Sequence, residues 1–182
     1  MDDKPPLAVD DSYIPCIKEG ETLDITTYGD GVLGNDTDPD VKDDTLQAFL
    51  VEDVSHGSLT FNDDGTFSYT HNGNEETVDY FRYVAFDGDF YSLDTALVTL
   101  CIDQVNDCPI AVDDIFSINE GFVLDSTVAK NDTDADINTD DNNYAVITPP
   151  AIGTLELRSD GSFTYTPPNP VSYTHLTLPT KA

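Results

Sequence analysis

The chain states one pattern twice, and that repetition limits what it can fold into. Pro6-Leu7-Ala8-Val9-Asp10-Asp11 returns as Pro109-Ile110-Ala111-Val112-Asp113-Asp114. Glu19-Gly20 returns as Glu120-Gly121, and Asn35-Asp36-Thr37-Asp38 as Asn131-Asp132-Thr133-Asp134. Asp64-Gly65-Thr66-Phe67-Ser68-Tyr69-Thr70 returns as Asp160-Gly161-Ser162-Phe163-Thr164-Tyr165-Thr166. The spacing shrinks along the copies, so they differ by short loop deletions. A period of about a hundred residues, rich in β-formers, predicts tandem β-sandwich modules rather than a short-repeat solenoid. The shared residues are strand cores or carboxylates, and the carboxylates are the ones that call for a function.

Acidic residues number 36 against 7 basic ones, a formal charge of -29 over 182 residues. Such a surface repels nucleic acid and anionic lipid, and both are excluded as partners. Disorder is also excluded, because Val, Ile, Leu, Phe and Tyr are plentiful and regularly spaced. A halophilic-style solvated surface is one account of the charge; clustered acids that recur in both copies point instead to a hard cation, chiefly calcium. No apolar run reaches the length of a membrane span. Met1-Asp2-Asp3-Lys4-Pro5-Pro6 lacks the basic and apolar regions of a secretory signal, so the chain is expected to be a piece of a longer protein. With three cysteines, at least one is unpaired within the chain. In Ig-like sandwiches the first and last strands often lie side by side, so Cys16–Cys101 is one pairing open to it; Cys108 falls in the linker.

Period-two alternation predicts strands at Thr66–Thr70, Asp79–Ala85 and Ala96–Ile102, with Phe67, Tyr69, Phe81, Tyr83, Val98 and Leu100 inward. Shorter strands are predicted at Ser12–Ile17, Thr22–Thr26, Thr45–Val51 and Ser58–Phe61. Turn signals separate them, and Asp63-Asp64-Gly65 reads as a tight hairpin. No stretch keeps helical periodicity. The fold class is therefore all-β, as tandem Ig-like antiparallel sandwiches: residues 6–105 complete, 106–168 truncated. After Thr166 the second copy has no match to the last two strands of the first, and no acid follows Asp160. Residues 169–182 are expected to be a non-native or disordered tail. Phe163 and Tyr165 are expected to lose much of their packing, leaving copy two loosely folded with an open sheet edge.

An ordered set of pieces resembles the bacterial cadherin-like, Ig-like repeats. It runs Ala8-Val9-Asp10-Asp11, Glu19-Gly20, Gly31-Val32-Leu33-Gly34-Asn35-Asp36, His56-Gly57-Ser58-Leu59-Thr60, Asp64–Tyr69, Tyr80–Gly88 and Val105-Asn106-Asp107-Cys108-Pro109. Departures are Asp53-Val54 and His71, where the family often has Pro, and the cysteines. The resemblance implies a non-enzymatic extracellular or cell-surface module of a large adhesin-type protein, with neighbouring repeats of the same chain as its partners. Surface glycans or other cell-surface proteins are further partners on this reading. It also implies ions held where consecutive modules join, by Glu19, Asp87 and Asp89 from the base of copy one. Asp103, Asn106 and Asp107 would come from the linker, and Asp134 and Asp136 from the top of copy two.

Asp36-Thr-Asp38-Pro-Asp40 and its repeat also present oxygens at alternate positions, which suits calcium's six to eight oxygen ligands. Asp10, Asp11, Asp113 and Asp114 adjoin the linkers as further candidates. An EF-hand is excluded: Val41 or Ile137 stands where its Gly belongs, and Gln47 or Asn143 where its Glu belongs. Asp43, Asp44, Asp63, Asp140 and Asp141 read as turn residues. His56, His71 and His175 lack partners at zinc spacing and read as turn or surface residues. No nucleophile elbow, phosphate loop or Cys–His arrangement is present. The competing function is a carbohydrate- or protein-binding accessory module of a secreted hydrolase, in which Tyr13, Tyr28, Tyr80 and Tyr91 would supply an exposed, coplanar platform.

Overall fold

The structure, a computed structural model, describes residues 4–40, 45–119, 121–136, 143–168 and 176–178. It divides into two compact units, Met1–Val105 and Asn106–Ala182.

Among the described residues, unit 1 holds seven strands: β1 (Asp11–Lys18), β2 (Thr22–Ile25), β3 (Gln47–Glu52), β4 (Gly57–Phe61), β5 (Phe67–His71), β6 (Val78–Phe86) and β7 (Ala96–Asp103). Each expected strand is present, with ends within two residues of the sequence reading. They form two sheets, ordered β1-β7-β6-β3 and β2-β5-β4. The alternating side chains of β5, β6 and β7 drive the packing: Phe67, Tyr69, Phe81, Tyr83, Val98 and Leu100 are buried together with Val32, Leu33 and Ala48. Burial of that many large apolar groups is the main favourable contribution to folding. Gly65, at φ +79°, closes the β4–β5 hairpin in a conformation other residues resist.

One pairing differs from the all-antiparallel expectation. β1 runs parallel to β7, from Asp11 opposite Val98 to Lys18 opposite Asp103, with a register shift between Tyr13 and Ile17. The chain thus enters the unit at one end and leaves at the other. Cys16 is bridged to Cys101 across these two strands, with Cα atoms 4.5 Å apart, and Cys108 is a free, exposed thiol. Closing a loop 85 residues long stabilises the fold by about 4–5 kcal/mol in the chain-entropy model.

Among the described residues, unit 2 holds β8 (Asp114–Phe116), β9 (Leu124–Thr127), β10 (Thr154–Leu157), β11 (Ser162–Thr166) and β12 (Leu176–Leu178). The first sheet is ordered β10-β11-β9, and β12 pairs antiparallel with β8. β12 falls in the segment expected to be a tail. The expected loss of packing at Phe163 and Tyr165 is corrected here: both are only 1% exposed. They share a core with Val128 and Tyr144. Tyr144 donates its backbone N–H to Ser159, as Ala48 does to Asp63 in unit 1, so a large ring stands where unit 1 has a methyl group. Phe116 packs edge-on against Phe163 at 4.9 Å, as Tyr13 does against Phe67.

Candidate metal centre

The candidate ligands of unit 1 fall at two opposite ends. At the end where β1 stops and β7 leaves, the Glu19 N–H donates to the Asp103 carbonyl at 3.0 Å. Glu75, in the loop before β6, offers a carboxylate oxygen within 4.8 Å of one from Glu19. Its loop is tied down by Gln104 Nε2, which donates to the Glu75 carbonyl at 2.7 Å. Glu19 Oε2 is buried and has no hydrogen-bond partner among the described groups. A buried carboxylate oxygen left without a donor is costly unless a cation neutralises it. Glu75 was not singled out from the sequence. It lies in Asn74-Glu75-Glu76, which matches no motif, and reaches Glu19 only because β7 has β6 on one side and β1 on the other.

Asp87 and Asp89 do not join that end, which corrects the expected ligand set. β6 runs antiparallel to β7, so the loop after β6 lies where β7 begins, far from Asp103. Asp87 is buried there and caps its own turn, Oδ1 accepting the N–H groups of Asp89 and Phe90 at 2.8 and 2.7 Å. Asx turns of this kind satisfy backbone donors without any ion.

The same end carries Asp10, Asp11, Asp36, Asp38 and Asp40. Asp10 Oδ1 accepts the Leu97 N–H at 2.8 Å and pins the start of β1 to β7. Asp36 Oδ1 accepts the Val9 N–H at 2.7 Å, while Asp38 Oδ1 accepts the Asp40 N–H at 2.8 Å. Asp40 accepts the Lys4 N–H. The Asp-Thr-Asp-Pro-Asp loop therefore ties the incoming chain to the unit. Below it, Tyr83 Oη lies 2.8 Å from the Val32 carbonyl, 2.9 Å from Asp36 Oδ2 and 3.4 Å from Asp11 Oδ2. A phenol has one proton for these acceptors, so a second proton on the carboxyls completes the network. Burial, then the Asp36 charge, pushes Asp11 up to about 7, against the opposing hydrogen bond from Tyr83. Burial likewise raises Asp36, opposed by the Val9 and Tyr83 bonds.

Unit 2 repeats the tie. Val112 N–H donates to Asp132 Oδ1 at 2.7 Å, Asp136 N–H to Asp134 Oδ1 at 3.2 Å, and Asp107 N–H to Asp136 Oδ2 at 2.6 Å. Asp107, Asp134 and Asp136 are thereby gathered within unit 2, with Asn106 Nδ2 donating to the Asp107 carbonyl. Asp113 lends only its carbonyl, at 3.4 Å from Asn131 Nδ2. Among the described residues, Asp114 Oδ2 and Asp132 Oδ2 are buried without a hydrogen-bond partner. Burial, then Asp132 and Asp113, raises the Asp114 pKa.

Compared with protein families, the model for the bacterial cadherin-like domain matches residues 2–104 and again residues 106–179. The chain belongs to the bacterial cadherin-like domain family. No curated protein matches it. Among solved structures, an endo-fucoidan hydrolase of glycoside hydrolase family 107 is similar at 13% identity and a TM-score of 0.42, over 90% of this chain and 24% of the hydrolase. A chimeric titin Z1Z2 carrying a decorin peptide is similar at 12% identity and a TM-score of 0.32, over 91% of this chain and 82% of that one. The cadherin-like chain thus spans about a quarter of the hydrolase's length.

The first cadherin-like unit also places the histidines and tyrosines. His71 is buried rather than superficial, which corrects the sequence reading: its Nδ1 accepts the N–H groups of Gly20 and Gly73 at 3.3 Å. His56 pairs with Asn74 Nδ2, and His175 lies outside the described residues, as do Asp43, Asp44, Asp140 and Asp141. Tyr13 packs on Phe67 in the core, while Tyr91 groups with Phe49 and Phe86 at interplanar angles of 77° and 36°. Tyr28, Tyr80 and Tyr91 are exposed. Among the described residues no helix is long and apolar enough to cross a membrane.

Proposed function

We propose that the two cadherin-like units are spacers of a longer extracellular or cell-surface protein, stiffened by calcium at the junction. The observation that carries this reading is the Glu19–Glu75 carboxylate pair beside Asp103, with one Glu19 oxygen buried and unpartnered. The available donors are carboxylates, amide carbonyls and backbone carbonyls, all hard oxygens with no imidazole or thiolate among them, which favours calcium over zinc. Glu19, Glu75 and Asp103 would hold it from unit 1. Asp103 is followed four residues on by Asp107, and unit 2 gathers Asp107 with Asp134 and Asp136. Asn106 would complete the set. A bound ion supplies positive charge that turns repulsion among these acids into coordination, and its affinity for the folded form adds stability by mass action. The proposal assigns no reaction, and adhesion or a distal catalytic domain would belong to the parent protein.

The test is a calcium titration of the chain, followed by thermal melting and small-angle scattering. Calcium is expected to raise the melting temperature and give a longer, stiffer particle than chelator. Superimposable curves in calcium and chelator would remove the metal and leave an acidic sandwich. The accessory-module reading is weakened at one of its four rings, because Tyr13 packs edge-on against Phe67 in the core, while Tyr28, Tyr80 and Tyr91 are exposed.

A further inference from the structure

We propose that the Cys16–Cys101 disulfide makes the first cadherin-like unit an inextensible link, a covalent bypass that carries tension around the body of the fold. This rests on the spacer reading only in that load reaches the unit through its two ends.

Three observations converge. First, β1 is the strand by which the chain enters the unit and β7 the strand by which it leaves. Second, they are neighbours and parallel, with Asp11 opposite Val98 and Lys18 opposite Asp103. Tension draws β1 back toward its start and β7 on toward its end. Parallel neighbours pulled this way slide past one another, so their hydrogen bonds are loaded together in shear rather than opened one at a time. Third, the bridge joins these same two strands near the exit end. Load arriving along β1 reaches Cys16, crosses to Cys101 and leaves through Ile102 and Asp103. The 85-residue loop between the cysteines lies off the force path. That loop contains β2 to β6 and nearly all of the core.

The magnitude follows from chain dimensions. An extended chain spans at most about 3.4 Å per residue, so bypassing the 85-residue separation withholds about 290 Å of length. What remains on the force path in unit 1 is the already extended first strand and the end of the last. The second unit has no such bridge, because Cys108 is the one remaining cysteine. The two copies therefore differ mechanically: one yields under load and the other does not.

The experiment is single-molecule pulling of the full chain by handles at its two termini, before and after reduction, in calcium and in chelator. Oxidised chain is expected to reach a final extension about 290 Å short of reduced chain. The shortfall is expected in both buffers, so failure of the calcium reading leaves it intact. Cys16→Ser/Cys101→Ser should behave as reduced chain without reductant. A second variant carries a site-specific protease site in the turn Asp63–Gly65. Cut and oxidised, it should still transmit load, and it should part on reduction, whether or not the variant refolds perfectly. Equal final extensions for oxidised and reduced chain would overturn the proposal. So would non-reducing peptide mapping that finds Cys16 unpaired or joined to Cys108 in the native chain.

Discussion

Asp79 is 1% exposed and receives four donors. Oδ1 accepts the N–H groups of Ser55 and Tyr80 at 3.0 and 2.9 Å. Oδ2 accepts the His56 N–H at 2.8 Å and the Tyr69 O–H at 3.0 Å. The acid joins β6 to the turn before β4 and to the core tyrosine of β5. Asp79→Asn keeps the shape and replaces one oxygen by an NH2 group. With the amide nitrogen at the Oδ2 position, Tyr69 can reverse its bond and accept, but the His56 N–H meets another donor. One buried backbone donor is orphaned and the remaining bonds lose their charge assistance, a cost of about 2–3 kcal/mol. For a unit of this size that lowers the melting temperature by roughly 10–20 °C. Calorimetry measures the shift, and hydrogen exchange by mass spectrometry assigns it to unit 1. Tyr69→Phe removes one bond and should cost about 1 kcal/mol. Combined with Asp79→Asn, its cost should change, because the two groups share an oxygen. If Asp79→Asn melts within a degree or two of the parent, the reasoning that this carboxylate holds the two sheets in register is wrong.

Between about pH 4 and 7, unit 1 should lose stability as pH rises. The folded state keeps a proton on Asp11 up to about 7, while the unfolded chain releases it near 3.8. Partly exposed and screened, the effect should be about 1–2 kcal/mol, read as the denaturation midpoint at pH 5 against pH 8 in chelator. Asp11→Asn should flatten that difference, and an unchanged slope would refute the assignment. Glu19→Gln and Glu75→Gln should each weaken calcium binding about tenfold or more by titration calorimetry, whereas Asp87→Asn should leave it unchanged. Gly57→Ala would set a Cβ 2.4 Å from the Thr70 carbonyl oxygen and should cost at least about 2 kcal/mol in a urea midpoint.

Strand positions were legible because β5, β6 and β7 alternate strictly and bury one face, so period and burial agree. Pairing direction was not, since alternation is the same for parallel and antiparallel neighbours, and β1 beside β7 had to be seen. The misplacement of Asp87 and Asp89 was avoidable. Two consecutive strands joined by a hairpin run in opposite directions, so the loop after β6 cannot share an end with the segment leaving β7. Glu75 carried no such signal, because it belongs to no motif and is brought to Glu19 by the sheet alone. Tyr83 read correctly as a core residue, but its hydroxyl's role between Asp36 and Asp11 depends on a register that residue types do not encode. The burial of Phe163 and Tyr165 is not legible in the sequence, because nothing in the residue types marks Tyr144 as standing at the position of Ala48.

β1 is made first, and the strand it pairs with is made last. Until Ala96 to Asp103 has been synthesised, the opening strand of the copy has no partner, and Asp11 and Asp36 wait for the tyrosine of β6. Closure of unit 1 is therefore postponed to the end of its synthesis, as its long sequence separations require. A chain emerging N-terminus first would hold a nearly complete but unclosed sandwich until β7 follows.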